Sequence, residues 1–310
     1  TPRRKFAIFA RFVAAANTGE EPAISTGPHC SKPYGCPYLS HCQASEPPAP
    51  DFPVELLPYA ASLVATLKAD GYVDLRKVPM ARLTNERHQR IAQVTRSGKP
   101  FVSPDLAETL DALPYPRYYL DFETIAFVTP RWLGTRPFQQ VPFQFSCHIE
   151  SAAGKLEHRH FLDVSGASPM AAFVDALLAT LRKRGPILVW NQSFEATRIK
   201  ELALMFPEHE AALHALIARM VDLLPIYREH YYHRDMLGSW SIKAVLPTIA
   251  PDLDYETLEI GDGGAAQEGY LNAIAAETSD AERDVLQRNL LAYCERDTLA
   301  MVRLAQWRPE

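Results

Sequence analysis

Three short motifs in the C-terminal two thirds of the chain carry four carboxylates and a phenol at spacings that could do chemistry. The first is Asp121-Phe-Glu123, at the end of the aromatic run Arg117-Tyr-Tyr-Leu-Asp-Phe-Glu-Thr124. Alternate residues of a strand share a face, so Asp121 and Glu123 present two carboxylates side by side. Ionised carboxylates packed together repel unless a cation lies between them, and Mg²⁺ or Mn²⁺ prefers such oxygen ligands. The second motif, Val189-Trp-Asn-Gln-Ser-Phe-Glu195, runs from an apolar strand through Asn191 and a turn into a helix opening with Phe194 and Glu195. An acid in a first helical turn also gains from the helix dipole, so capping alone accounts for Glu195 equally well. The third, Tyr293-Cys-Glu-Arg-Asp297, sets a phenol one turn from a carboxylate on one helical face. Such a phenol could hold a water beside a metal ligand. Each motif alone is common without any function.

The elements that must position these groups are readable from periodicity. Residues 117–124, 141–149 and 156–162 read as strands, and 185–190 as a short buried strand. Amphipathic helices are expected over 169–184, from near Phe194, over 208–219 and over 280–306, with a Gly- and Asp-rich loop at 251–270. Strands first, then strands alternating with helices, indicate a mixed α/β sheet domain from residue 114 onward. Before it, residues 59–113 look helical, with Leu63, Leu67, Val73 and Leu75 on one side and Gly71 as a stop. Residues 46–58 contain five prolines and read as an extended linker.

A second cluster of reactive side chains lies near the start. Cys30, Cys36 and Cys42 fall within 13 residues, in a run rich in Gly and Pro turns, whereas Cys147 and Cys294 stand alone. The odd count, the clustering and the lack of a secretory signal point to a metal site in a reducing, cytoplasmic compartment rather than to disulfides. Three thiolates are one short of a closed cluster, and His29 or His41 could complete a zinc site with them. His158 and His160 alternate along a strand and could bind metal, though a solvated or core role is the simpler reading for both. Tyr231-Tyr-His233 reads as packing, with a base-stacking platform as the alternative. Cys294 reads as a small buried hydrophobe.

The chain has 310 residues, 47% of them hydrophobic and 22% charged. That is ordinary globular composition, which excludes a disordered chain or a coiled coil. No stretch approaches the length of an apolar membrane span, so no membrane partner is expected. Net charge is −5, so bulk electrostatics give no sign of nucleic-acid binding. Residues 76–99 are the local exception, with seven basic residues against one acid. That stretch reads either as a solvated helical face or as a surface that tracks phosphates. The chain starts at Thr1 with no initiator Met, which suggests a start inside a longer gene product.

Strand Asp-x-Glu, then strand-to-helix Asn-x-x-Phe-acid, then helical Tyr-x-x-x-Asp resembles the DnaQ-like, RNase H-like DEDD exonucleases of the Tyr subclass. The resemblance covers residues 114–310 and implies an RNase H-like mixed sheet flanked by helices, preceded by a small helical region and a cysteine-cluster segment. It implies a 3′–5′ exonuclease, with Asp121, Glu123, Glu195 and Asp297 holding two divalent cations, Mg²⁺ or Mn²⁺, and Tyr293 orienting the water. Asn191, Phe194 and Lys243, the last within Ser239-Trp-Ser-Ile-Lys-Ala-Val-Leu-Pro247, would contact a single-stranded or 3′-ended nucleic acid. The family usually has Asp where this chain has Glu195. Together with the cysteine run, the motifs are similar to a bacterial family of unknown function that joins a RecB-like nuclease region to a DnaQ-like exonuclease. From that likeness Cys30, Cys36 and Cys42 would be three ligands of a 4Fe–4S cluster, with an upstream RecB-like region of the same gene product as a partner. No PD-(D/E)XK core is visible in residues 1–50. The alternative function is a catalytically weak nucleic-acid-binding scaffold for a partner nuclease, a view that Glu195 and the acidic net charge support.

Overall fold

The structure, a computed structural model, describes residues 2–21, 24, 26–30, 35–255 and 257–308. It divides into two compact units, Thr1–Pro53 and Val54–Glu310. The first holds helices α1 (Pro2–Ala16) and α2 (Leu39–Ala44) and a 3₁₀ turn at Pro28–Cys30. Within it Glu46 accepts hydrogen bonds from the backbone N–H and hydroxyl of Thr26, each at 2.6 Å.

The second unit opens with α3 (Ala61–Ala69), α4 (Glu86–Ser97), β1 (Phe101–Val102) and α5 (Asp105–Asp111). Then come β2 (Arg117–Ala126), β3 (Gln140–Glu150), β4 (Leu156–Leu162), α6 (Met170–Thr180), β5 (Ile187–Val189) and α7 (Ser193–Met205). After these follow α8 (Glu210–Ile217), β6 (Met220–Asp222), α9 (Leu223–His230), β7 (Tyr231–Tyr232), α10 (Ile242–Val245), α11 (Gly263–Ala273) and α12 (Asp280–Gln306). The fold is α/β. Its main sheet is mixed and five-stranded, in the order β4-β3-β2-β5-β6, with β3 antiparallel to β2 and β4, and β5 parallel to β2 and β6.

Alternation along β2 and β3 gives this sheet two unlike faces. Leu120, Phe122, Phe143 and Phe145 join Phe173, Val174 and Leu177 of α6 in one apolar cluster. The intervening residues turn the other way, toward α12: Gln144 donates to the Leu290 carbonyl at 2.8 Å, and the Ser146 hydroxyl meets that of Thr298 at 2.7 Å. Asp121 and Glu123 belong to this polar face, because Asp121 pairs with Ser146 and Glu123 with Gln144 across the strands. The ladder shifts register just after Glu123, and such a bulge bends the strand and re-aims the side chains at its end.

Four expectations need correction. The extended linker ends sooner than its prolines suggest: Val54 and Leu57 are buried, and the Val54 N–H donates to the Val73 carbonyl at 3.1 Å. The boundary expected at residue 114 is absent, since β1 pairs with β7 and Arg90 of α4 donates to the carbonyls of Arg228 and Glu229. Within 54–113, Val73 is exposed rather than on the apolar side. The loop expected over 251–270 contains the start of α11, which Asp262 caps by accepting from the Ala265 N–H at 2.8 Å. Glycines at its first two positions mask the helix in sequence, but a capped first turn tolerates them because tertiary packing of Tyr270 and Ala273 supplies the stability.

Candidate active site

Three elements bring the motifs together. β2 carries Asp121 and Glu123 at the middle of the sheet. The turn after β5 leads into α7, whose first turn carries Glu195. α12 carries Tyr293 and Asp297. The turn itself is pinned from below. Asp222, at the end of β6, accepts the N–H groups of Asn191, Gln192 and Leu224, each at 3.0 Å. Asn191 takes a left-handed φ of 73°, a conformation costly for a residue with a Cβ.

The electrostatics record the crowding. Burial pushes the Asp121 carboxyl well above its ordinary range, and the charges of Asp297, Glu123 and Glu195 push it further. Glu123 is pushed up to about 8 by burial and by Asp297, with Lys243 opposing. Glu195 is pushed up to about 8, mainly by burial. Asp297 is raised by burial only to about 6, because the Tyr255 hydroxyl donates to its Oδ1 at 2.5 Å and Lys243 lies near. All four acids therefore respond to one low-dielectric environment, and each of the other three acts on Asp121 directly.

Glu195 is 2% exposed, and its Oε2 has no hydrogen-bond partner. A buried carboxylate oxygen without a donor is costly unless a cation meets it. The donor set is all oxygen, which suits Mg²⁺ or Mn²⁺, so the residues fit the divalent ions that the motifs imply. Among the described residues, Asp121, Glu123 and the Cys294 thiol form one set of candidate ligand atoms that all lie within 4.8 Å of one another. Cys294 is buried as expected, but it also makes a polar contact: its Sγ lies 3.6 Å from Asp121 Oδ2. Burial and the three nearby acids raise its pKa well above the ordinary thiol value, so it stays a thiol that donates to Asp121.

Lys243 sits between the acids and the phenol. Its ammonium donates to the Tyr293 hydroxyl at 3.0 Å and to the Gly261 carbonyl at 2.6 Å. Burial and the surrounding carboxylates raise the Tyr293 pKa far above its ordinary value, so its hydroxyl remains a neutral donor. Lys243, Asn191 and Trp190 also line a cleft of about 530 Å³ with Tyr59, Arg87, Arg228 and Trp240. Phe194 is half-buried at the head of α7, with the Arg198 guanidinium 5.3 Å from its ring centre.

Sequence reasoning missed Tyr255, Asp222 as the clamp under the turn, and Trp190 with Trp240. Tyr255 falls in the segment read as a loop, and nothing in its local pattern announces a contact 42 residues away. The basic stretch 76–99 is largely spent on the fold. Arg76 pairs with Asp74, Arg82 with Asp70, Arg96 donates to the Val78 carbonyl, and Arg90 is held as described above. Arg87 alone among its arginines reaches the cleft.

Cys30 is buried and Cys36 and Cys42 are half-buried. The Cys36 N–H donates to the Cys30 carbonyl at 2.7 Å. Among the described residues the three thiols do not form a set of ligand atoms within 4.8 Å. Residues 31–34 of the run lie outside the described residues. His41 is taken up by Glu21, at 2.9 Å, and His29 is exposed. No described helix is long and apolar enough to cross a membrane.

A family described as a domain of unknown function, DUF2779, matches residues 118–241. That stretch holds the first two motifs and stops before the third. The uncharacterized MG366 homolog of Mycoplasma pneumoniae is 27% identical over 205 residues, covering 60% of this chain and 31% of that protein. An uncharacterized protein of Ureaplasma parvum, UU173, is 29% identical over 209 residues, covering 60% of this chain and 30% of its own. The chain thus spans about a third of the length of the curated relatives it matches. No solved structure matches.

Proposed function

We propose that the chain is a metal-dependent nuclease, a 3′–5′ exonuclease on an RNase H-like sheet that hydrolyses phosphodiester bonds of DNA or RNA. The observation that carries this reading is the buried, partnerless Oε2 of Glu195 beside Asp121, whose carboxyl is raised by burial and by the charges of Asp297, Glu123 and Glu195. Buried carboxylates with strongly raised pKa values cluster at functional sites. Asp121, Glu123, Glu195 and Asp297 would hold two divalent ions, which when bound supply water activation and stabilisation of the leaving 3′-oxygen. Tyr293, kept neutral and oriented by Lys243, donates to the attacking water or to a phosphate oxygen. Lys243 adds positive charge beside the scissile phosphate. Arg87 and Arg228 attract the strand, and Tyr59, Trp190 and Asn191 offer ring and amide contacts to bases. The sheet order, with the acids where β2, β5 and α12 meet, supports the RNase H-like assignment.

One observation favours the alternative, a catalytically weak nucleic-acid-binding scaffold. The Tyr255 hydroxyl on Asp297 and the Cys294 thiol on Asp121 each occupy a carboxylate oxygen that a metal ion would use. Digestion of 3′- and 5′-labelled DNA and RNA oligomers with Mg²⁺ or Mn²⁺ decides between the two. A nuclease gives stepwise loss from the 3′ end that stops in Asp121→Ala. Binding without cleavage in either metal leaves the scaffold. The 4Fe–4S or zinc assignment of Cys30, Cys36 and Cys42, and the upstream RecB-like partner, stay proposals of the same kind. Metal analysis of anaerobically purified protein tests the first.

A further inference from the structure

A second group of candidate ligands lies on the polar face of the sheet, apart from the carboxylate cleft. His148 of β3 and His158 of β4 are direct cross-strand partners, and their rings stack with centroids 4.6 Å apart. α12 brings Glu295 over them. One nitrogen of each ring and a Glu295 carboxylate oxygen lie within 4.8 Å of one another. His158 Nδ1 is 3.6 Å from Glu295 Oε1, too long for a good hydrogen bond. It is close to the edge of a tetrahedron whose metal–ligand bonds are about 2.0–2.2 Å, which is about 3.3–3.6 Å.

The surrounding hydroxyls settle where the ring protons sit. Thr298 donates its single hydroxyl proton to the Glu295 carbonyl at 3.1 Å. It must then accept from Ser146 Oγ, at 2.7 Å, and from His148 Nδ1, at 2.8 Å. Ser146 has thereby used its own proton, so it accepts from His158 Nε2, at 2.8 Å. Only this assignment satisfies all four contacts, since each hydroxyl donates once. It leaves His148 Nε2 and His158 Nδ1 as bare lone pairs, the second facing a carboxylate oxygen. Two acceptors facing each other are relieved by a cation between them, either a proton on His158 Nδ1 or a metal ion. Fixing a ring by a hydrogen bond from its other nitrogen is also how proteins orient metal-binding histidines.

We infer that His148, His158 and Glu295 form a site for one divalent transition-metal ion of the zinc class, separate from the carboxylate cleft. Two neutral imidazoles and one carboxylate suit Zn²⁺, Co²⁺ or Ni²⁺ rather than Mg²⁺ or Ca²⁺. Glu295 is half exposed on its side chain, which leaves a solvent position for a fourth ligand. The ion fastens α12 to β3 and β4 two residues before Asp297. This inference does not depend on the nuclease reading, because it uses none of the four acids.

Co²⁺ titration of the full chain, followed by visible ligand-field absorption and competed with Zn²⁺, tests it. The expected result is one Co²⁺ with a tetrahedral-type band that Zn²⁺ displaces. His158→Ala and Glu295→Gln each weaken this binding at least tenfold, while Asp121→Asn and Cys36→Ser leave it within twofold. Both ligand variants alter partly exposed groups, so folding, checked by circular dichroism, is retained by at least one of them. Absence of the band in wild type, equal affinity in the two folded ligand variants, or loss of the band in Asp121→Asn or Cys36→Ser while His158→Ala keeps it overturns the inference.

Discussion

The two faces of β2 obey opposite rules. On one, Leu120 and Phe122 are buried against α6, with the Phe122 and Phe173 rings edge to face at 5.0 Å. Burial there lowers the free energy of the folded chain. On the other, Asp121 and Glu123 are enclosed beside Glu195 and Asp297, and burial raises it, because like charges lose water and face one another. One strand thus joins a stabilising surface to a destabilising one, separated by the thickness of a backbone. The first face makes the fold and the second spends part of that stability on enclosing four acids, which on the proposed function would bind cations.

The largest effect expected is on the polar face. If the proposed nuclease reading holds, Asp121→Asn reduces cleavage by a factor on the order of 10³ or more, the scale seen when one key group leaves a preorganised site. The same substitution should raise the melting temperature of the metal-free protein, since it removes a charge that three other acids oppose. Thermal unfolding in EDTA checks the sign. A lower melting temperature than wild type would show that the acids are not mutually repelling.

Next comes the apolar face. Phe122→Ala should destabilise the protein by about 3–5 kcal/mol, the usual cost of deleting a buried ring. It should act through stability alone, so activity per folded molecule at low temperature changes little. Denaturant unfolding, read alongside activity, checks this. The pair of substitutions, one on each face and one residue apart, should shift stability in opposite directions.

Metal sharpens the contrast further. Glu123 and Glu195 have folded-state pKa values near 8 against an ordinary 4.5. The folded state therefore holds more protons than the unfolded state between those values, and stability must fall as pH rises through that window. Without divalent ions the melting temperature should drop by several degrees between pH 5 and pH 8. With Mn²⁺ or Mg²⁺ bound, which requires the ionised acids, the drop should vanish or reverse. Melting curves across pH in EDTA and in each metal provide the measurement. A flat profile in EDTA would mean that the acids are ionised without cost.

Much of this was legible in the sequence, and what was not has a physical reason. The strands β2, β3 and β4 and the helix α12 follow from period-2 and period-3.6 patterns, which depend on neighbours alone. The joining of residues 54–113 to the rest of the second unit was not legible. It rests on Phe101 pairing with Tyr232 and on Arg90 reaching carbonyls 138 and 139 residues away. The four acids announced themselves by type and order, because the proposed cation binding would demand particular groups. Their helpers did not: Tyr255, Cys294 and Asp222 act through distance, and many residues can fill such roles. Proximity in space does not track proximity in sequence: among the described residues the thiols of Cys30, Cys36 and Cys42 are not all within 4.8 Å of one another, whereas Asp121 and Asp297 share one environment across 176 residues.

A smaller effect is expected at Tyr293. Tyr293→Phe removes a hydroxyl that Lys243 orients but leaves the ring packing, so activity should fall by about ten- to a hundredfold, less than full proton-transfer groups contribute. Its pH profile should keep its shape, because the neutral phenol does not titrate near working pH. Rate measurements from pH 6 to pH 9 check both points.

The smallest expected effect concerns Glu195. Its carboxylate stands at the head of α7, where a helix dipole favours any acid. Capping alone does not account for it, since Oε2 is buried without a donor, whereas a capping acid accepts N–H groups with both oxygens free to hydrate. As a metal ligand it has one more methylene, and one more torsion to fix, than Asp. Mg²⁺ demands near-ideal octahedral geometry and dehydrates reluctantly, so a longer ligand should penalise it more than Mn²⁺, which tolerates looser sites. Wild-type protein should therefore cleave faster with Mn²⁺ than with Mg²⁺, and Glu195→Asp should narrow that ratio by about two- to fivefold, under about 1 kcal/mol. Glu195→Gln should lower activity in both metals. Cleavage rates for the three proteins in both metals decide the matter: an unchanged Mn²⁺/Mg²⁺ ratio across all three would remove Glu195 from the metal site and leave its buried oxygen unexplained.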